Sequence, residues 1–241
     1  MERKTIAAIA TCHNRKDKTL ASLDALFKQK LSDDVQLDVY LVDDGSIDGT
    51  TEAVLQTYPQ VKMISGDGSL FWNGGMRVAF GEALKAYPDY YLWFNDDTDL
   101  YPNAVAKLLS TYQSLSDRGE GESIVVGATC DPETGKLTYG GMVQSSWWHP
   151  LKFQLLQPTQ DPQPCHTMNG NCVLIPQKVA RLGGQPRSQF HPQYRRSGLW
   201  TTGETSWRSS LVGPRLYRHL RHPCATGRLL GESTPDMARS L

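Results

Sequence analysis

"VQLDVYLVDDGSIDGTTEAVLQTY", Val35 to Tyr58, decides how this chain is read. An apolar run ends at two carboxylates, Asp43 and Asp44, and a glycine, and a segment of helical character follows. Near-continuous Val, Leu and Tyr suit a strand that is buried on both faces. Asp48 or Thr50 is placed to cap the helix behind it, and Glu52 sits in the first turn, where the helix dipole favours a carboxylate.

The same order of strand, polar loop and helix recurs on both sides. Upstream, "TIAAIATCHN" (Thr5–Asn14) reads as a strand, and "KTLASLDALFKQK" (Lys18–Lys30) sets Leu20, Leu23, Leu26 and Phe27 at helical spacing. Downstream, "VKMIS" is a third strand and "GGMRVAFGEALKAY" (Gly74–Tyr87) a helix. "YYLWFNDDTDLYPNAVAKLLSTYQ" is then a strand, an acidic loop and a helix, with Pro102 near the helix start. This alternation predicts βαβ units, that is, an α/β fold whose mainly parallel sheet is flanked by helices. Reactive loops in such sheets lie at the carboxyl ends of the strands. The rule places Thr11–Arg15, Asp43–Ser46 and Asn95–Asp99 along one edge.

Composition narrows the partners. The 241 residues suit one domain, or one domain plus an appendage. With 25 Lys and Arg against 25 Asp and Glu, the net charge is +0, so no field calls for nucleic acid, and none is expected as a partner. Mean hydropathy is −0.44, and no apolar run approaches the roughly 20 residues of a membrane span. "TIAAIA" is too short for the apolar core of a signal peptide and reads better as the first strand. Five cysteines without a CxxC pair suit reduced cytosolic thiols rather than a zinc site. The expected setting is the cytoplasm, with peripheral attachment to the cytoplasmic face of the membrane left open.

Asp43, Asp44, Asp96, Asp97 and Asp99 gather five carboxylates at strand ends. Such a group repels itself unless a hard cation sits among it. Mg²⁺ or Mn²⁺, held by one or two carboxylates and by phosphate oxygens, meets that need and would neutralise a diphosphate leaving group. The plainer reading is that Asp-Asp before a turn caps the next helix. Two such loops after strands of one pattern favour the site.

Three segments, "TCHNRKDKTLASLDAL", "VYLVDDGSIDGTTEAV" and "WFNDDTDLYPNAV", resemble in order and spacing the landmarks of the family 2 glycosyltransferases, inverting enzymes of the GT-A fold. The resemblance runs from about Thr5 to Gly184. It implies transfer of a sugar, with inversion, from a nucleotide-diphosphate donor to a glycan or lipid-linked acceptor. It places Thr11, Asn14 and Arg15 in the nucleotide pocket and assigns Asp43 and Asp44 to the pyrimidine base and ribose, with Asp44 the better candidate for the base. The family's D-x-D metal motif falls on Asn95-Asp96-Asp97. An asparagine at its first position leaves Asp97 as the principal ligand, helped by Asp96 or Asp99.

"GDGSLFWNGGMRVAFGEAL" (Gly66–Leu84) lies where the family has a loop before a donor-lining helix. Gly74 and Gly75 would let backbone N–H groups approach phosphates at a helix N-terminus, and Arg77 would pair with an anionic oxygen. Phe71 and Trp72 suit stacking on a sugar, or Trp72 packs in the core. Asn169 and Asn171 suit hydrogen bonds to a sugar, or a turn around Gly170. Trp147 and Trp148 suit acceptor binding, or cover the sheet.

After Gly184 the sequence changes character: nine arginines, no lysine and no sustained apolar period. The domain is therefore set at residues 1–184, with an irregular or disordered tail at 185–241. In the resembled family the segment after "LGG" brings the carboxylate that deprotonates the acceptor, and none in a comparable context is present. No catalytic base is assigned in this frame. Reading the codons of Gln189–Thr205 one base later permits G-D-L-D-Y-G-L-R-A, the pattern the resemblance calls for. The expectation is a single-nucleotide frameshift near Gly183–Gln185. An inactive nucleotide-sugar-binding module is the alternative reading of the whole chain.

Overall fold

β1 (Lys4–Cys12), α1 (Lys16–Phe27), β2 (Val35–Asp43), α2 (Thr50–Thr57), β3 (Lys62–Ser65), α3 (Phe71–Leu84), β4 (Tyr90–Phe94) and α4 (Ala104–Asp117) alternate as the sequence predicts. The computed structural model describes residues 3–149 and 151–183 and the backbone of a strand at 216–219. Its second half is richer in short strands: β5 (Ile124–Gly127), β6 (Thr129–Cys130), β7 (Leu137–Tyr139), β8 (Gly141–Gln144) and β9 (Phe153–Leu155). These are followed by β10 (Gln163–Cys165), β11 (Thr167–Met168), β12 (Cys172–Pro176), α5 (Gln177–Gly183) and β13 (Leu216–His219).

The central sheet has eight strands in the order β10-β13-β5-β12-β4-β1-β2-β3. β1 pairs in parallel with β2 on one side and with β4 on the other, which is why Ile6 to Cys12 is buried throughout. β2 and β3 are parallel, as are β5 and β13, while β12 runs antiparallel between β4 and β5. The sheet is thus mixed but mainly parallel in the half that carries the acidic loops.

Alternate residues of each strand feed two cores. Ile6, Ala8, Val39, Leu41 and Leu92 pack with α1, α2 and α4 through Leu23, Leu26, Val54, Val105 and Leu108. On the opposite face, Ala7, Ile9, Val42, Tyr91 and Trp93 meet Met76, Ala79 and Phe80 of α3 and Val179 of α5. The helices after β1 and β2 therefore lie on one face and the helix after β3 on the other. The chain works outward from β1 to β3 and returns to β4, so a crevice opens between the carboxyl ends of β1 and β4. That reversal point is where open α/β sheets place ligands.

Two helix starts are capped from neighbouring loops rather than by their own flanking residues. The Lys16 N–H donates to Asp48 Oδ2 at 3.0 Å, and the Phe71 N–H to Asp44 Oδ2 at 2.8 Å. Long-range carboxylates thus satisfy backbone donors that a helix start leaves open. α3 consequently begins at Phe71, three residues before the predicted Gly74.

Four residues of the tail, Leu216–His219, form β13 between β10 and β5, where the sequence shows no sustained apolar period. Pairing on both sides fixes this strand without a pattern of its own. The rest of the tail reading, including its frame, lies outside the described residues.

Candidate active site

The β1–α1 and β2–α2 loops are joined by short polar contacts. The Asp44 N–H donates to Cys12 O at 2.9 Å, and the Asn14 N–H to Ser46 Oγ at 2.8 Å. Asn14 Oδ1 accepts from the Ile47 N–H at 2.8 Å, and His13 Nδ1 lies 2.6 Å from Asp44 O. Asn14 has φ 51°, in the left-handed region that asparagine tolerates better than most residues. This backbone turn directs Arg15 toward the third loop.

There Arg15 Nη1 lies 2.9 Å from Asp97 Oδ2 and 3.4 Å from Asp96 Oδ1. Asp96 is buried, and desolvation is the main reason its carboxyl is pushed up to about 6; Arg15 opposes the rise and Asp97 adds to it. The Cys12 thiol is raised by burial and by the nearby Asp43 and Asp96. Its surroundings show that the ends of β1, β2 and β4 share one field. Ser22 of α1 holds the acidic loop by donating to Thr98 O at 2.8 Å, with Asn95 O at 3.1 Å.

Asn95 has a partner of its own. Its Oδ1 accepts from Trp72 Nε1–H at 2.9 Å, so the first position of the acidic triplet is turned toward α3. An uncharged acceptor suits that half-buried place better than a third carboxylate beside Asp96. Trp72 also lies against Gly170, where an added Cβ would come 2.8 Å from the indole ring. The indole is therefore packed between two loops rather than presented as a sugar platform.

The two aspartates after β2 are both buried and both engaged. Asp43 Oδ1 accepts from the Ser46 N–H at 2.9 Å, and its Oδ2 from the Thr51 hydroxyl. Asp44 accepts three backbone N–H groups: Gly68 at 2.9 Å and Leu70 at 3.3 Å on Oδ1, and Phe71 at 2.8 Å on Oδ2. An ionised carboxylate has about four acceptor sites, so Asp44 keeps about one and Asp43 about two. Asp44 thus shapes the Gly66–Phe71 loop, and Asp43 keeps the greater free acceptor capacity.

The glycine pair also has a different part from the expected one. The Gly74 N–H donates to Leu70 O at 3.0 Å inside α3, so it is not directed at a phosphate. At Gly75 an added Cβ would lie 2.1 Å from Thr11 Oγ1, so this glycine lets α3 press against the end of β1. Arg77 is half-buried and has no ion pair among the described residues. Asn169 closes a loop on Gly140: its N–H donates to Gly140 O at 3.1 Å, and its Oδ1 accepts from the Gly140 N–H at 3.3 Å.

Asp99 stands apart from the Arg15 cluster. Its carboxyl is raised by burial and by Asp24 of α1, and both residues line a cleft of about 1010 Å³. The cleft runs from Asp97 and Asn171 past Lys18 of α1 to Tyr101 and Tyr139. Sequence reading gave no role to Lys18 or Tyr101, although both lie inside the landmark segments, and Tyr139 lies outside them; the contacts that bring the three together are tertiary. Among the described residues, no three His, Cys, Asp or Glu side chains form a metal cage.

With this geometry established, the comparisons identify the lineage. The profile of Glycosyl transferase family 2 matches residues 7–182, and the chain belongs to that family. The fold is that of the GT-A glycosyltransferases. Staphylococcus aureus TarS, residues 1–349, is 11% identical with a TM-score of 0.53, over 91% of this chain and 60% of that one. A mannosyltransferase of Pyrobaculum calidifontis, PcManGT, in complex with GDP-Man and Mn²⁺ is 18% identical with a TM-score of 0.47, over 77% of this chain and 48% of that one. TarS in complex with UDP is 13% identical with a TM-score of 0.49, over 75% and 48%. The chain thus spans between about half and three-fifths of the solved structures it resembles. Comparison with curated proteins finds no match.

Proposed function

We propose that this chain is a glycosyltransferase that takes a sugar from a nucleotide-diphosphate donor and passes it, with inversion, to a glycan or lipid-linked acceptor. The observation that carries the reading is the meeting of three strand-end loops at the β1–β4 crevice, with Arg15 bridging to Asp96 and Asp97. In a single displacement the acceptor oxygen bonds the anomeric carbon while the bond to the diphosphate oxygen breaks. The acceptor proton passes to a base. In the resembled family that base follows the helix corresponding to α5, a place outside the described residues.

The donor set suits a divalent metal that shares its coordination with phosphate. Asp97 and Asp96 both face the Arg15 guanidinium, which supports the reading of this point as a cation site. Arg15 and Asp97 are 48% and 35% exposed in their side chains, and pairs so exposed contribute about 0–1 kcal/mol. Arg15 can therefore leave Asp97 at little cost and turn to an anionic oxygen of the donor. Mg²⁺ or Mn²⁺ held by Asp97, with Asp96 or Asp99 assisting, would neutralise the departing diphosphate.

Thr11, Asn14, Asp43 and Asp44 form the nucleoside side of the crevice. Asp43, with more acceptor capacity left, meets the base or ribose, while Asp44 fixes the opposing loop. Arg77 is assigned to an anionic oxygen and Asn169 to the sugar side. Titration of the full chain with UDP, GDP, CDP and TDP, with and without Mn²⁺, tests the donor site. Binding of one diphosphate at micromolar level, strengthened by metal, is expected. Absence of binding by all four would remove the donor reading. Binding without transfer from any member of a sugar-nucleotide panel would make the chain a binding module.

A further inference from the structure

The hairpin β8–β9 ends in "QSSWWHPLKF", Gln144–Phe153, and its tip leaves Trp147, Trp148 and Leu151 at 77%, 73% and 70% exposure. The two indole centroids are 3.8 Å apart, so the rings form a single apolar patch. The turn beneath them is well fastened. The Ser145 N–H donates to Lys152 O at 2.8 Å, and the Lys152 N–H to His149 O at 2.9 Å. No helix among the described residues is long and apolar enough to cross a membrane.

We propose that this hairpin tip is a membrane anchor, inserting Trp147, Trp148 and Leu151 into the interface of an anionic bilayer. Tryptophan is suited to that depth because its ring is apolar and its N–H can stay near the headgroups. Charge points the same way: between Glu133 and Asp161 the sequence contains no carboxylate, while Lys152 lies in the turn itself beside Leu151. In a chain whose acids and bases balance overall, so long an interval without acid removes the repulsion an anionic surface would impose.

A carbohydrate is the other ligand that aromatic pairs receive, but it needs polar partners beside the rings. Here the neighbouring polar groups are used within the turn. Gln144 Nε2 donates to Ser146 O at 3.0 Å, Ser145 Oγ to Lys152 O at 3.1 Å, and Ser146 Oγ accepts from the His149 N–H at 3.3 Å. The large groups that face outward are the two indoles and Leu151, with the exposed His149 and Lys152 beside them. The root of the hairpin is tied to Asn169 through Gly140, and Asn171 lines the cleft that contains Asp97. Insertion would therefore hold that cleft close to the lipid surface, where a lipid-borne acceptor would be met.

The full chain is floated with vesicles of phosphatidylcholine alone and of phosphatidylcholine with about 30% phosphatidylglycerol. Binding is expected, stronger to the anionic vesicles. Trp147→Ala/Trp148→Ala and, separately, Leu151→Asp should each lower the partition about tenfold or more, with melting temperature and nucleotide affinity unchanged. A wild-type chain that stays with the soluble fraction overturns the proposal, as do variants that float like wild type. If soluble cellohexaose or maltohexaose shields Trp147 and Trp148 from acrylamide quenching while vesicles do not, the surface is a sugar platform and the anchor is wrong. Nucleotide affinity is measured in parallel, so failure of the donor site and failure of the anchor are separate results.

Discussion

Asp97 keeps a third of its side chain in water and has Arg15 as its ion-pair partner, so it is available in a way that buried Asp96 is not. Asp97→Ala should reduce the affinity for a nucleoside diphosphate in Mn²⁺ to the metal-free level. The fold should lose about 1 kcal/mol or less, as expected for a half-exposed pair. Calorimetric titration with and without Mn²⁺ decides it; unchanged metal-dependent affinity takes Asp97 out of the site. Asp44→Asn is the opposite kind of change. An amide nitrogen cannot accept from the backbone N–H groups of Gly68, Leu70 or Phe71, so at least one part-buried donor loses its acceptor. The cost should be about 1–3 kcal/mol in denaturant unfolding, with weaker nucleotide binding whether or not metal is present. A mutant of normal stability that loses only its metal-dependent affinity would place Asp44 beside the cation instead.

At the scale of elements, α3 is held against β1 by the lack of a side chain at one position. Gly75→Ala gains up to about 1 kcal/mol in helix propensity. The new Cβ, however, would stand 2.1 Å from Thr11 Oγ1 and 2.7 Å from Thr11 Cβ, so the helix must move off the strand. Overpacking of this kind costs about 1–3 kcal/mol, more than the gain. Thermal melting should fall by roughly 2–4 °C for each kcal/mol of net loss. Gly74→Ala, whose nearest obstacle is the Leu70 side chain at 3.1 Å, should change the melting temperature far less. If the two variants melt alike, the close approach at Thr11 does not hold α3 in place. The same helix shows where sequence reading stops. Period and composition located β1, β2, β4 and their loops, because strands buried on both faces and acidic strand ends are written locally. The start of α3 was not legible, because its capping carboxylate, Asp44, lies 27 residues before Phe71. Ser22, Asn95 with Trp72, and the Gly140–Asn169 closure were hidden for the same reason: each acts through a partner remote in sequence.

For the whole molecule, the decisive matter is what completes the sheet and the catalytic set beyond Gly183. In this chain β13 occupies the slot between β10 and β5. The frame as written offers no carboxylate in the family's base context after "LGG", whereas the codons read one base later permit one. The chain as written should therefore bind a sugar nucleotide and transfer it poorly. Inserting or deleting one nucleotide near codon 184 should restore transfer. A missing general base alone costs about 10²–10⁴ in rate, so the gain should reach that range. A corrected tail that pairs with β5 and β10 through a patterned strand should also melt higher and more cooperatively. Donor transfer and scanning calorimetry on the two proteins read both effects. Equal rates and equal melting temperatures would make residues 185–241 a genuine appendage, with β13 its native contribution to the sheet. A corrected protein that melts higher but transfers no faster would restore the strand and leave the chain a nucleotide-sugar-binding module.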